Sequence, residues 1–297
     1  MTEFVATGES RAPVLSRVRD LAALGKPRLS FLVIFTTAVG VWLAPAPPAF
    51  GLTLAFLLAT SALVASANTF NCWIERDLDG LMQRTCRRPL PAGRMEPRSA
   101  LIYGIALGVT ALAVMALTSN ALTVALGAIA LLSYVLVYTP LKRVTPWAVL
   151  VGALPGALPP LMGWTLATGK LGLPGWFLFG ILFLWQLPHF IAISLYLEQD
   201  FRRAGIRALP IVSGSRVARW YLLGFVVCLL ALSLLALPLG IAGLAYTIVA
   251  AVAGMAWTAL AVAGLRGSSS DLWGRRLFGF SLLYLPVLIT ALVLDAI

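Results

Sequence analysis

The chain has 297 residues, of which 60% are apolar and 11% charged, against the roughly 25% charge of an ordinary soluble domain. With a mean hydropathy of +0.94, a soluble globular fold is excluded. The formal charge of +11, from 22 Lys/Arg and 11 Asp/Glu, would point to nucleic acid in a soluble chain; here it reads first as membrane topology, and the expected surroundings are a lipid bilayer rather than a nucleic acid.

Residues 1–25 carry Glu3, Glu9 and Asp20 among their arginines. That is unlike an acid-poor transit peptide, and the stretch has no apolar core for secretion, so it reads as a cytoplasmic segment of a bacterial inner-membrane protein. From residue 26 to 297 a single transmembrane domain is expected. Its apolar runs far exceed the about ten residues of an outer-membrane strand and lack its alternation, so helices must satisfy the backbone in lipid. Nine spans are predicted, at about 29–44, 51–70, 99–118, 121–138, 147–166, 174–196, 217–237, 240–264 and 277–296. A cytoplasmic amino terminus leaves only Lys170 of the 22 basic residues outside, and only Asp295 of the acids. The inner loops at 71–98 and 197–219 are long and rich in both signs. Topology accounts for their arginines but not for the accompanying carboxylates, so they are read as a working face.

Trp42, Trp147, Trp164, Trp176, Trp220 and Trp273 fall near span ends, as an interfacial belt expects. The Pro- and Gly-rich run 152–160 either allows close helix packing or opens room in the bundle. Cys72, Cys86 and Cys228 show no CxxC spacing and support neither a disulfide framework nor a zinc site.

The densest chemistry lies where the second span meets its inner loop. Asn71, Glu75 and Asp79 stand at i, i+4 and i+8. Each four-residue step turns about 400°, so they drift only about 40° per step and share one helix face. Such a row repels itself unless a cation or basic partners neutralise it. Carboxylates with an amide oxygen suit Mg²⁺, which takes phosphate oxygens as further ligands. The competing reading is a solvated helix end. Asp77, on the other side next to Arg76, is read either as a local ion pair or solvated charge or as a further metal ligand. Arg84 and Arg88 follow directly, and Tyr138, Lys142 and Arg143 stand across the sequence; guanidinium forks and an ammonium beside a metal can hold a diphosphate leaving group. No GxxxxGK[ST] or GxGxxG nucleotide loop occurs. His189, the one histidine, is either a packed core residue or a ligand. Glu198 and Asp200 either assist the metal or pair with Arg202 and Arg203.

Asn71-x3-Glu75-x3-Asp79 and Tyr138-x3-Lys142 resemble the motifs of the UbiA superfamily of intramembrane prenyltransferases, which implies a nine-helix all-α membrane bundle. Three stretches resemble its heme-farnesylating branch in particular: Arg84-Thr85-x2-Arg88-Pro89-Leu90; Tyr138-Thr139-x-Leu141-Lys142-Arg143 continued through Gly156–Trp164; and Phe183-Leu184-Trp185-Gln186-x-Pro188-His189-Phe190, followed by Asp200 and Leu209-Pro210. The likeness spans about residues 22–295. Glu75 stands where the family more often has Asp, Phe201 where Tyr is frequent, and Glu198 and Asp200 are two apart rather than four. The resemblance implies transfer of farnesyl from farnesyl diphosphate to the 2-vinyl group of heme B, with water addition, giving heme O. It assigns Mg²⁺ to Asn71, Glu75 and Asp79, diphosphate to Arg84, Arg88, Lys142 and Arg143, and catalytic roles to Tyr138, Lys142, His189 and Asp200. It also implies a heme A synthase or terminal oxidase as downstream partner. Two alternatives stand beside it. One is a related enzyme acting on a quinone precursor or chlorophyll-like ring. The other is a transporter, against which the acids cluster at one face rather than along a path through the membrane.

Overall fold

In a computed structural model, residues 14–266 and 271–297 are described; Glu3, Glu9 and Arg11 of the amino-terminal segment lie outside them. Helices α1 (Val14–Gly25), α2 (Pro27–Trp42), α3 (Phe50–Ile74), α4 (Arg76–Leu81) and α5 (Pro97–Thr118) are followed by α6 (Ala121–Leu132). A π-helical turn, Ser133–Tyr138, carries α6 into the short α7 (Thr139–Leu141). Then come α8 (Ala148–Thr168), α9 (Leu173–Tyr196), α10 (Glu198–Arg203), α11 (Leu209–Ser213), α12 (Ser215–Leu234), α13 (Leu244–Arg266) and α14 (Asp271–Leu294). No β-strand occurs among the described residues, only an isolated bridge between Ala242 and Ala296.

Eight helices among the described residues are long and apolar enough to cross a membrane, against the nine predicted. The ninth would be α1 and α2 together, bent by 52°. At 16 residues and 1.5 Å per residue, α2 alone is about 24 Å long, short of the roughly 30 Å hydrocarbon core. The bend sits at Lys26, whose backbone is left-handed (φ 50°, ψ 65°), and at Pro27, which has no N–H to continue the helical ladder.

Two central helices organise the bundle. The apolar stretch of α8 is 72% buried and that of α9 61%, against 22–39% in the other spanning helices, which therefore present most of their surface to lipid. One core joins α3, α5, α6 and α8 around Phe56, Met115, Leu161 and Met162. The other joins α9, α12, α13 and α14 around Leu178, Ile181, Trp257 and Tyr284. Pro155, Pro159 and Pro160 lie inside an unbroken α8. Close packing is found along this helix: a Cβ on Gly40 would strike the Pro160 carbonyl, and one on Gly163 the Thr37 carbonyl, so α2 and α8 touch backbone to backbone.

Three local expectations change. Trp164 is 7% exposed and packs under Gly172 and Gly175, so it is a core residue and not an interfacial anchor. Helix α14 starts at Asp271 rather than 277, with Arg275 and Arg276 inside it. Helix α13 starts at Leu244 rather than 240, after a turn with Gly240 at φ 64°. Asp295 accepts from the Tyr246 N–H at 2.8 Å, so this carboxylate caps the first turn of α13.

Candidate active site

Helix α3 ends at Ile74, and Glu75, at φ −94° and ψ 7°, stands between it and α4. The Glu75 N–H still donates to the Asn71 carbonyl (2.9 Å) and the Asp79 N–H to the Glu75 carbonyl (2.8 Å). The row therefore keeps its order across the break. All three side chains are buried, Asp79 to 1% exposure, which demands partners. Each finds a cation from a different part of the chain. Lys26 Nζ donates to Asn71 Oδ1 at 3.1 Å, Lys142 Nζ stands 2.5 Å from Glu75 Oε1, and Arg88 stands 2.6 Å from Asp79 Oδ2. Asn71 Nδ2 also donates to Glu75 Oε2 at 2.7 Å, and Thr85 Oγ1 donates to the Asp79 carbonyl at 2.8 Å. The repulsion expected of the row is answered by basic side chains.

The π turn has a local cause. Pro140 cannot donate, and Thr139 instead reaches back five residues, its N–H and its Oγ1 (2.8 Å) both donating to the Tyr134 carbonyl. This wider turn brings Tyr138 against Gly152, where any Cβ would strike its ring, and under the Lys142 ammonium, 5.0 Å from the ring centroid. Burial pulls the Lys142 pKa down, but Tyr138 and Glu75 outweigh it, and it ends above its ordinary value. From sequence, Lys26 reads only as a topology charge. Nothing local marks it, since its left-handed backbone and its Asn71 partner are both products of the bend; it is the only non-glycine at positive φ among the described residues.

Asp200, on α10, is 7% exposed and pairs with Arg203 at 3.1 Å. Glu198 takes Arg202 at 2.6 Å and the Ser215 hydroxyl at 3.2 Å. Arg84 lies within electrostatic reach of both Asp79 and Asp200, and Gln83 lines one cavity with Glu198, Asp200 and Arg203, so the two charged loops meet; the Arg207 N–H also donates to the Lys142 carbonyl at 3.1 Å. Arg143 is exposed and makes no ion pair with the row among the described residues. Asp77 stands 3.6 Å from Arg76 and is exposed, so of the readings open to it the local pair is the one found.

His189 lies away from this cluster, in central α9. Its ring stacks on Trp185 at 4.8 Å and meets Phe278 at 5.0 Å, and its Nδ1 is 2.7 Å from Ser281 Oγ. Ser281 has one hydroxyl proton and donates it to the Phe278 carbonyl at 2.6 Å. Nδ1 therefore carries the imidazole proton, and Nε2 keeps its lone pair.

A membrane-embedded all-α bundle with buried carboxylates and facing cations at a helix end defines the class, and the chain belongs to the UbiA prenyltransferase family, which matches residues 33–283. It is 49% identical, over 100% of both chains, to a protein of Anaeromyxobacter sp. (strain Fw109-5) named protoheme IX farnesyltransferase. In fold it is similar to a solved digeranylgeranylglyceryl phosphate synthase, with a TM-score of 0.79 at 18% identity, covering 94% of this chain and 98% of that one. It is also similar to a UbiA homologue from Archaeoglobus fulgidus bound to DMAPP and Mg²⁺, with a TM-score of 0.71 at 18% identity, covering 92% and 99%.

Proposed function

We propose that the chain transfers the farnesyl group of farnesyl diphosphate to the 2-vinyl group of heme B, with addition of water, releasing diphosphate and giving heme O. The observation that carries this reading is the full-length likeness to a protein of that activity, joined to the Asn71, Glu75 and Asp79 row buried among cations.

The donor set, an amide oxygen and two carboxylates, fits a hard divalent cation that completes its shell with phosphate oxygens. Asn71, Glu75 and Asp79 would hold Mg²⁺, which when bound supplies positive charge as the allylic C–O bond breaks. Lys142 and Arg88, which here neutralise Glu75 and Asp79, with Arg84 beside them, hold the charge that the departing diphosphate needs. Tyr138 keeps Lys142 in place from below. No side-chain nucleophile is required, because the vinyl carbon attacks the allyl cation and water takes up the second cation. The apolar walls of α8 and α9 keep water from the first cation. His189, with a free Nε2, contacts the heme as an iron ligand or as the base in hydration. Asp200 positions Arg84 from the opposite loop. The setting is a bacterial inner membrane with the site on the cytoplasmic side, and a heme A synthase or terminal oxidase is the downstream user.

The test is to incubate purified protein with heme B, farnesyl diphosphate and Mg²⁺ and weigh the porphyrin. The expected product carries one farnesyl and one hydroxyl more than heme B, the other proton of water being released, and it disappears in Asp79→Ala and in EDTA-treated protein. Unchanged product in either removes the metal assignment, and an unchanged porphyrin with wild-type protein removes the function.

A further inference from the structure

A second feature of the same end of the molecule is not used by the acid row. Between α1 and the segment after α4 lies a cavity of about 1240 Å³ lined by six arginines against two acids. Asp20 is already spent: Arg94 holds it with a fork of bonds at 3.0–3.3 Å, clasping α1 to the loop. Arg17, Arg19 and Arg87 are exposed and have no ion pair among the described residues, so the cavity keeps an excess of uncompensated guanidinium. Positive-inside bias would put arginines on one side of the membrane; it does not gather them around one hollow. A planar fork of this kind matches the two oxygens of a carboxylate with two parallel N–H···O bonds. Apolar Leu21, Ala23, Pro89 and Met95 complete the lining.

The cavity adjoins the acid row through a shared side chain. Arg88 lines it and at the same time pairs with Asp79. Lys26, just beyond the end of α1, touches Asn71, while Arg19 and Arg17 lie seven and nine residues earlier. At 1.5 Å per residue they stand about 10 and 13 Å farther along the helix axis. A flat acceptor whose vinyl edge is brought to the allyl carbon must place its opposite edge about a ring's width away. On protoheme that opposite edge carries two carboxylates.

We propose that this cavity seats the carboxylate edge of the porphyrin acceptor, with Arg17, Arg19 and Arg87 as the carboxylate-binding side chains. The proposal rests on the heme-farnesylating reading, which it deepens by saying how the ring is oriented. The same chemistry would also bind an anionic lipid headgroup, so the test separates the two sources.

Full-length protein is assayed in phosphatidylcholine nanodiscs with heme B and with its dimethyl ester, whose carboxylates are capped. Wild-type protein is expected to favour heme B by about tenfold or more in kcat/KM. The Arg17→Gln/Arg19→Gln double variant, and independently Arg87→Gln on the other wall, should lose about tenfold on heme B and nothing on the ester. The KM for farnesyl diphosphate and the thermal midpoint should stay unchanged in both. Equal loss on both acceptors, or a wild-type enzyme indifferent to esterification, overturns the proposal. So does a loss that appears only when phosphatidylglycerol is added, which would make the cavity a headgroup site. Wild-type protein that forms no heme O at all would instead refute the function itself, an outcome distinct from each of these.

Discussion

Replacing Lys142 with methionine removes the ammonium 2.5 Å from Glu75 while keeping the apolar stem. The Glu75 carboxylate, with its side chain 9% exposed, then keeps only the Asn71 amide as a donor. Stranding one partner of a buried pair costs about 3–5 kcal/mol. Lys142 is itself 20% exposed, so water recovers part of that, and about 3 kcal/mol is expected. Unfolding entropy of about 2.1 cal/mol/K per residue gives about 0.6 kcal/mol/K for the whole chain, so the thermal midpoint should fall by about 5 °C. Adding Glu75→Gln removes the stranded charge and should return most of that loss. Activity should behave differently. Losing a donor aimed at a developing anion costs about 10²–10³ in kcat, and the second replacement should not restore it. Thermal unfolding and heme O formation measured on the two single variants and the double variant check both halves. An unshifted midpoint in Lys142→Met, a double variant less stable than either single, or recovery of turnover in the double would each refute the argument.

Two further outcomes follow from the geometry. Gly163→Ala puts a methyl into the Thr37 carbonyl, and forcing α2 from α8 should cost about 1–3 kcal/mol, read as a midpoint about 2–5 °C lower; an unchanged midpoint would mean the backbones are not in contact. Ser281→Ala takes away the oxygen that fixes the His189 tautomer, and the expected result is an altered heme absorption spectrum with farnesyl diphosphate binding retained. An unaltered spectrum would separate His189 from the heme.

The class of protein and the order of its spans follow from the chain alone, because hydropathy is a local property and each apolar run must bury its own backbone bonds in lipid. The Asn71, Glu75 and Asp79 register is legible for a similar reason: helical period converts spacing into a shared face, and the hydrogen-bond ladder carries that face past the break at Glu75. Nothing local states which cation answers which acid. Lys26, Lys142 and Arg88 come from separate elements, and only the packing of α1, α3 and α7 brings them to one place. The same holds for the Ser281 partner of His189, 92 residues away, and for the burial of Trp164, which the end of a span would otherwise have placed at the membrane surface. Period and hydropathy act over a few residues, whereas a buried charge is satisfied by whatever the tertiary fold sets against it.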